Sequence, residues 1–144
     1  MRIGFTCGTF DLFHSGHVTM LREAKMVCDH LIVGIQTDPT IDRPDKNSPV
    51  QSIIERQIQV SSCKYVDEII VYTTENELFT ILKTLPIDVR IVGEEYRDKD
   101  FTGKDLITVH YNKRAHSYSS TDLRTRVYCK EKEKRDKSVI KMEN

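Results

Sequence analysis

Thr6-Cys7-Gly8-Thr9-Phe10-Asp11-Leu12-Phe13-His14-Ser15-Gly16-His17 is the stretch that decides how this chain is read. An apolar run, Ile3-Gly4-Phe5, leads into it, and a helix-like pattern of Val18, Met20, Leu21, Ala24 and Lys25 leads out. A strand that turns through glycines into a helix makes a site for phosphate. The free N–H groups of the first helical turn and the positive end of the helix dipole both face the loop. His14 and His17 stand three residues apart, so a helical first turn aims both imidazoles at one side.

Outward from this loop, strand and helix patterns alternate. Residues 2–7 read as the first strand and 15–28 as the first helix, with Ser15 placed to cap it. The β-branched run His30-Leu31-Ile32-Val33-Gly34-Ile35 reads as a second, buried strand. Residues 39–49 hold three prolines without periodicity and read as a mobile loop. A second helix is expected over 50–63, a third strand over 67–72 and a third helix over 75–84, stopped by Pro86. Residues 88–92 and 106–111 read as strands, and a last helix follows Ser119-Ser120-Thr121 to about 130. The predicted fold is a single Rossmann-like, doubly wound α/β domain over residues 1–130 with a five-stranded parallel sheet. Residues 131–144 form a mixed-charge extension, either a solvated helix end or a disordered tail. In such a sheet ligands bind beyond the carboxyl ends of the strands, which brings segments 8–17, 36–38, 93–96 and 112–121 to one rim.

Composition narrows the function. The chain has 144 residues, enough for one domain with a real core. Its 22 basic and 22 acidic residues cancel, so no global field draws nucleic acid or an anionic membrane. No apolar run approaches the roughly 20 residues of a membrane helix, and the N-terminus lacks a signal-peptide layout. A cytoplasmic protein is expected. Cys7, Cys28, Cys63 and Cys129 form no C-x-x-C pair and read as ordinary free thiols.

Gly8-Thr9-Phe10-Asp11-Leu12-Phe13-His14-Ser15-Gly16-His17 resembles the signature of the H-x-G-H nucleotidyltransferase superfamily. Within it the chain is similar to the cytidylyltransferases, with the glycerol-3-phosphate cytidylyltransferases as the nearest type. The resemblance continues through Val66-Asp67-Glu68-Ile69-Ile70, Ile91-Val92-Gly93-Glu94-Glu95-Tyr96, and Arg114 to Thr121, where the family has R-T-E-G-I-S-T-T. It implies transfer of CMP from CTP to a small phosphorylated alcohol, glycerol 3-phosphate first, with release of pyrophosphate. An adenylyltransferase acting on a sugar phosphate or FMN is the alternative within the class. A catalytically silent nucleotide-binding module is the alternative outside it. The attacking phosphate is already anionic, so the protein need only place the reactants and stabilise charge at phosphorus. Magnesium is implied, bound mainly through the triphosphate rather than a dedicated ligand set. A homodimer is the family's usual state.

The same resemblance assigns residues. His14 and His17 would contact the triphosphate and stabilise the transition state, with Arg114 nearby and Lys46 closing from the mobile loop. Gly8 and Gly16, lacking Cβ, would let backbone approach the nucleotide, with the Thr9 hydroxyl and the Phe10 N–H beside them. Gly93 and Glu95 would stand near the base. Ser119, Ser120 and Thr121 open a second helix and would serve the β- and γ-phosphates, although hydroxyl residues there also act as simple caps. On the acceptor side are Asp38, Arg56 and Lys64, the last replacing a family arginine and so losing its bidentate fork. Asp11 would bind substrate, orient a histidine or hold the turn. His116-Ser117 and Tyr118 replace the family's Glu-Gly and isoleucine.

Overall fold

The structure is a computed structural model that describes residues 1–113 and 116–143. Five strands, β1 (Ile3–Gly8), β2 (His30–Gln36), β3 (Glu68–Tyr72), β4 (Val89–Gly93) and β5 (Val109–Asn112), alternate with helices α1 (Ser15–Met26), α2 (Ile53–Ser61), α3 (Glu75–Thr84) and α4 (Ser120–Glu143). A single 3-10 turn, Glu94–Tyr96, follows β4. The sheet is all parallel in the order β3-β2-β1-β4-β5, the expected doubly wound arrangement. Its order reverses between β1 and β4, which marks the crevice where such sheets bind ligands.

Period-two alternation splits the core into two layers. Leu31, Val33 and Ile35 of β2 point to one face with Leu21 and Ala24 of α1 and Val60 of α2. Ile32 points to the other, with Phe5, Tyr72 and the α3 residues Leu78 and Leu82. At the amino rim, aspartates hold the leading backbone amides. Asp88 accepts from Ile3 N at 2.8 Å, Asp67 from Leu31 N at 2.8 Å, and Asp29 from Arg2 N at 2.6 Å. The carboxyl rim carries the segments that follow β1, β2, β4 and β5.

Several boundaries move for local reasons. α2 begins at Ile53 rather than residue 50, because Ser52 and Glu55 form a capping box there. The backbone amides of Val50 and Gln51 are instead taken by the Asp11 carboxylate, both at 2.9 Å. β5 begins at Val109 rather than residue 106, since Gly103 at φ 75° and the Leu106 N–H to Gly103 carbonyl bond close a turn there. α1 is capped by His14 and not by Ser15. α4 runs without a break to Glu143, so the charged extension continues the helix. From Thr125 to Met142 every residue is exposed, with i,i+4 pairs Arg126–Asp122 at 3.1 Å and Arg135–Glu131 at 3.2 Å along its surface. Among the described residues no helix is long and apolar enough to cross a membrane.

Close packing on β2 makes one glycine testable. A Cβ at Gly34 would lie 2.9 Å from Phe5 Cζ and 3.2 Å from Tyr72 Cε1. Gly34→Ala is expected to lower unfolding stability by about 1–3 kcal/mol, read by urea denaturation. An unchanged midpoint would show that the ring of Phe5 yields freely.

Candidate active site

The chain enters the site through a strained turn. Phe10 and Leu12 adopt φ of 53° and 52°, the left-handed region that costs a non-glycine residue roughly 1–2 kcal/mol. Neighbouring groups over-determine the turn. The Phe10 ring is buried in the core. Leu12 N donates to Gln51 Oε1 at 2.8 Å, and the Asp11 carboxylate holds the Val50 and Gln51 amides. Of the roles open to Asp11, holding the turn is the one its contacts display.

Arg56 ties this turn to the next strand end. Its guanidinium is only 2% exposed and donates to the carbonyls of Gln51 at 3.2 Å, Thr9 at 3.0 Å, Gln36 at 2.6 Å and Thr37 at 2.7 Å. The ends of β1 and β2 are thereby fastened together. Four of the five guanidinium N–H donors serve backbone, which makes Arg56 a positioning residue in this structure.

Beyond the turn, the two histidines cap α1 reciprocally. Gly16 N donates to His14 Nδ1 at 3.0 Å, and His14 N donates to His17 Nδ1 at 3.1 Å. Each Nδ1 therefore accepts, which places the proton of each neutral imidazole on Nε2. His14 Nε2 lies 3.0 Å from Ser120 Oγ in the first turn of α4, and that hydroxyl donates to the Asp11 carbonyl at 3.3 Å. Gly16 is required by this packing. An added Cβ would stand 2.7 Å from His14 Cε1 and 3.2 Å from His116 Cε1.

His17 stacks on Phe13 with ring centroids 5.5 Å apart and touches Phe10 at 5.4 Å. Burial first, and the neighbouring His14 second, push its pKa down from the usual 6.5 to about 3, with Asp11 opposing the shift. At neutral pH His17 is an uncharged Nε2–H donor.

A cleft of about 290 Å³ opens over these rings. α1 contributes Gly16, His17, Met20 and Glu23, while the 3-10 turn and the ends of β4 and β5 supply Glu95, Gly93 and Asn112. His116, Tyr118, Ser119 and Ser120 close it from the α4 side. Ser119 caps α4, its hydroxyl accepting from Asp122 N at 3.0 Å. The first turns of α1 and α4 thus meet across one opening, and both dipole ends favour an anion.

The sequence-predicted residues divide accordingly. His14, Gly16, His17, Gly93, Glu95, Ser119 and Ser120 line this cleft. Gly8, Thr9, Phe10, Asp11, Asp38, Lys46, Arg56, Lys64 and Thr121 do not. At Gly8 a Cβ would meet only the Phe10 ring at 3.4 Å, so the fold itself tolerates a side chain there. Asp38 turns back on Thr40, accepting from its hydroxyl at 2.6 Å and its amide at 2.9 Å, and these bonds hold its carboxyl below the usual range. Lys64 is exposed, its Nζ 5.2 Å from the Tyr65 ring centroid, and Lys46 is exposed in the 39–49 loop. Arg114 lies outside the described residues. Met20, Glu23 and Asn112 were not foreseen. A signal existed for the first two, because Gly16, Met20 and Glu23 fall at i, i+4 and i+7 on the helix face that carries His17.

Comparison with known proteins gives the family and agrees with the fold. The cytidylyltransferase-like family description matches residues 5–126. The chain belongs to that family, a branch of the nucleotidyltransferases its first loop resembles. It is 40% identical over 108 residues, 74% of its own length, to the bifunctional protein HldE of Rhodospirillum rubrum, of which it spans 22%. It is 37% identical over 127 residues to a probable ethanolamine-phosphate cytidylyltransferase of Encephalitozoon cuniculi, covering 84% of this chain and 38% of that protein. The chain therefore spans well under half the length of these curated relatives. Among solved structures, the lipopolysaccharide core biosynthesis protein of Thermoplasma volcanium superposes with a TM-score of 0.62 at 27% identity, over 83% of this chain and 99% of that one.

The buried neutral His17 links stability to pH. Its folded pKa of about 3 lies below the unfolded 6.5, so between those values the unfolded chain binds a proton that the fold refuses. Stability conferred above pH 6.5 is lost on acidification, by at most about 1.4 kcal/mol per pH unit from this group. His17→Gln keeps a capping-box acceptor and removes the titration. Urea unfolding from pH 7.5 to 5 is expected to show a flatter pH slope in the variant. Identical slopes would mean that His17 titrates normally in the fold.

Proposed function

We propose that this protein transfers a cytidylyl group from CTP to a small phosphorylated alcohol and releases pyrophosphate. The observation that carries the reading is the reciprocal His14–His17 cap with Ser120 hydrogen-bonded to His14, which sets three polar side chains and two helix N-termini around one cleft. An acceptor phosphate oxygen attacks the α-phosphorus and forms the new P–O bond. The bond from that phosphorus to the bridging oxygen breaks, and pyrophosphate leaves with the electron pair. Charge accumulates on the non-bridging oxygens of a pentavalent phosphorus. Neutral His17 donates its Nε2 proton as a hydrogen bond to that charge, while the capped first turn of α1 keeps the ring from rotating. His14 Nε2 and Ser120 Oγ, 3.0 Å apart, hold the two helix starts together beside that charge.

The donors at the opening are imidazole, hydroxyl and backbone N–H groups, which suit phosphate oxygens. Among the described residues no three His, Cys, Asp or Glu side chains converge to hold an ion. Magnesium fits this site as a passenger on the triphosphate, where it would neutralise phosphate charge. Glycerol 3-phosphate is supported as acceptor by the sequence resemblance, and ethanolamine phosphate by the name of one relative. A cytosolic homodimer, acting without nucleic acid or membrane, completes the proposal and rests on family resemblance and neutral net charge.

His17→Ala is expected to lower kcat by about 10²–10³, the usual effect of removing one positioned transition-state donor, with far-UV circular dichroism reporting the fold. Pyrophosphate release with CTP and a panel of glycerol 3-phosphate, ethanolamine phosphate and sugar phosphates, with products identified by mass spectrometry, tests the reaction. Turnover with ATP alone would replace the cytidylyl reading by the adenylyl one. Undiminished turnover in His17→Ala would remove the mechanism.

A further inference from the structure

Asn112 is the last residue of β5 and pairs in register with Gly93 of β4. Both line the cleft. The Asn112 side chain is 96% buried, being 4% exposed, and its Nδ2 donates to the Met20 carbonyl in α1 at 3.1 Å. Among the described residues its Oδ1 has no hydrogen-bond partner. A buried amide oxygen left without a donor forgoes both water and protein at a cost in stability, and beside a cleft a ligand donor is one group that can complete it. The Met20 bond also fixes which way the amide faces. A flip would set Oδ1 against the Met20 carbonyl, so this position presents an acceptor and not a donor.

Its place along α1 says which part of a ligand comes near. His17 marks the phosphate end, Met20 lies three residues further and Glu23 six, or roughly 4.5 and 9 Å along the helix axis. With the triphosphate at the two helix N-termini, the ribose and base extend toward Met20 and Asn112.

We propose that Asn112 selects nucleotides whose base carries an exocyclic amine, its Oδ1 accepting one N–H of that amine. The inference rests on the nucleotidyl-transfer reading and adds the group that reads the base. Cytosine and adenine both present such an amine, whereas uracil and hypoxanthine present a carbonyl at the same edge. A carbonyl would bring lone pairs against lone pairs and leave Oδ1 without a partner, which is how polar sites reject close analogues. Glu95 is the competing acceptor in the cleft. It is exposed, with its carboxylate folded over the Gly93 Cα, where an added Cβ would stand 2.6 Å from Oε1. A bond to Glu95 merely exchanges for water, while a bond to Asn112 satisfies an atom that otherwise has nothing.

The test measures pyrophosphate release by the full chain with magnesium and a phospho-alcohol acceptor, comparing CTP with UTP and ATP with ITP. Wild type is expected to favour the amino base of the productive pair by about 10- to 100-fold in kcat/KM. In Asn112→Ala that ratio falls toward unity, through loss with the amino nucleotide rather than gain of a new site. Asn112→Ser, which keeps a small polar group, guards against a variant that fails to fold. Binding of CTP and of its analogue lacking the 4-amine, read by equilibrium dialysis without acceptor, gives a measure independent of turnover and of any variant. Equal binding of these two by wild type overturns the proposal. So does a ratio unmoved in folded Asn112→Ala, or one that moves only in Glu95→Gln. Absence of pyrophosphate from every triphosphate would overturn nucleotidyl transfer instead, and the dialysis ratio would still decide the role of Asn112.

Discussion

The reciprocal cap at the start of α1 is the interaction on which the site depends. A helix must satisfy its first N–H groups, and here His14 Nδ1 accepts from Gly16 while His17 Nδ1 accepts from His14. The same two hydrogen bonds settle the tautomer of both rings and put both protons on Nε2. Helix capping and the orientation of both Nε2–H groups are therefore one set of contacts. This explains why the rings lie as close as 4.0 Å between centroids without a shared charge, since His17 is kept neutral by burial and by its neighbour. It also explains the demand for glycine at position 16, whose Cα lies under the His14 ring.

A second constraint keeps the cap in place. The turn before it uses two left-handed residues, which a free chain would relax. Asp11 and Arg56 prevent that by bonding backbone groups contributed by β1, β2 and the start of α2. The two charged residues face backbone partners and fix the geometry of a loop whose Phe10 and Phe13 pack against the core. Strain at the turn and burial of two charged groups are thus parts of one device that holds the α1 N-terminus against the rim.

The architecture was largely legible from periodicity. Near-continuous β-branched runs gave the buried strands, and Ser52-x-x-Glu55 and Thr74-x-x-Glu77 are capping boxes that mark α2 and α3. The misplacements have specific causes. Ser15 looked like the cap of α1 because serine is the commoner N-cap type, yet the imidazole one residue earlier has an acceptor at the right distance. The helix expected from residue 50 starts at Ile53 instead, because the Val50 amide is claimed by Asp11 from 39 residues away. The tail read as ambiguous because its apolar residues follow no stripe, and its i,i+4 ion pairs support a solvated helix.

What the sequence by itself determined is the loop, its place between β1 and α1, and the identity of the imidazole, hydroxyl and backbone groups it carries. Those follow from local spacing, because a glycine turn, a helix start and histidines three apart depend on neighbours only a few residues away. The tertiary structure alone decided what each group faces. Ser120 meets His14 across 106 residues, Arg56 turns inward to four carbonyls, and Asn112 is buried against Met20 with its oxygen unsatisfied. Sheet order brings those distant segments together, and whether a polar side chain ends as a ligand contact or a brace depends on which backbone groups it finds unpaired there.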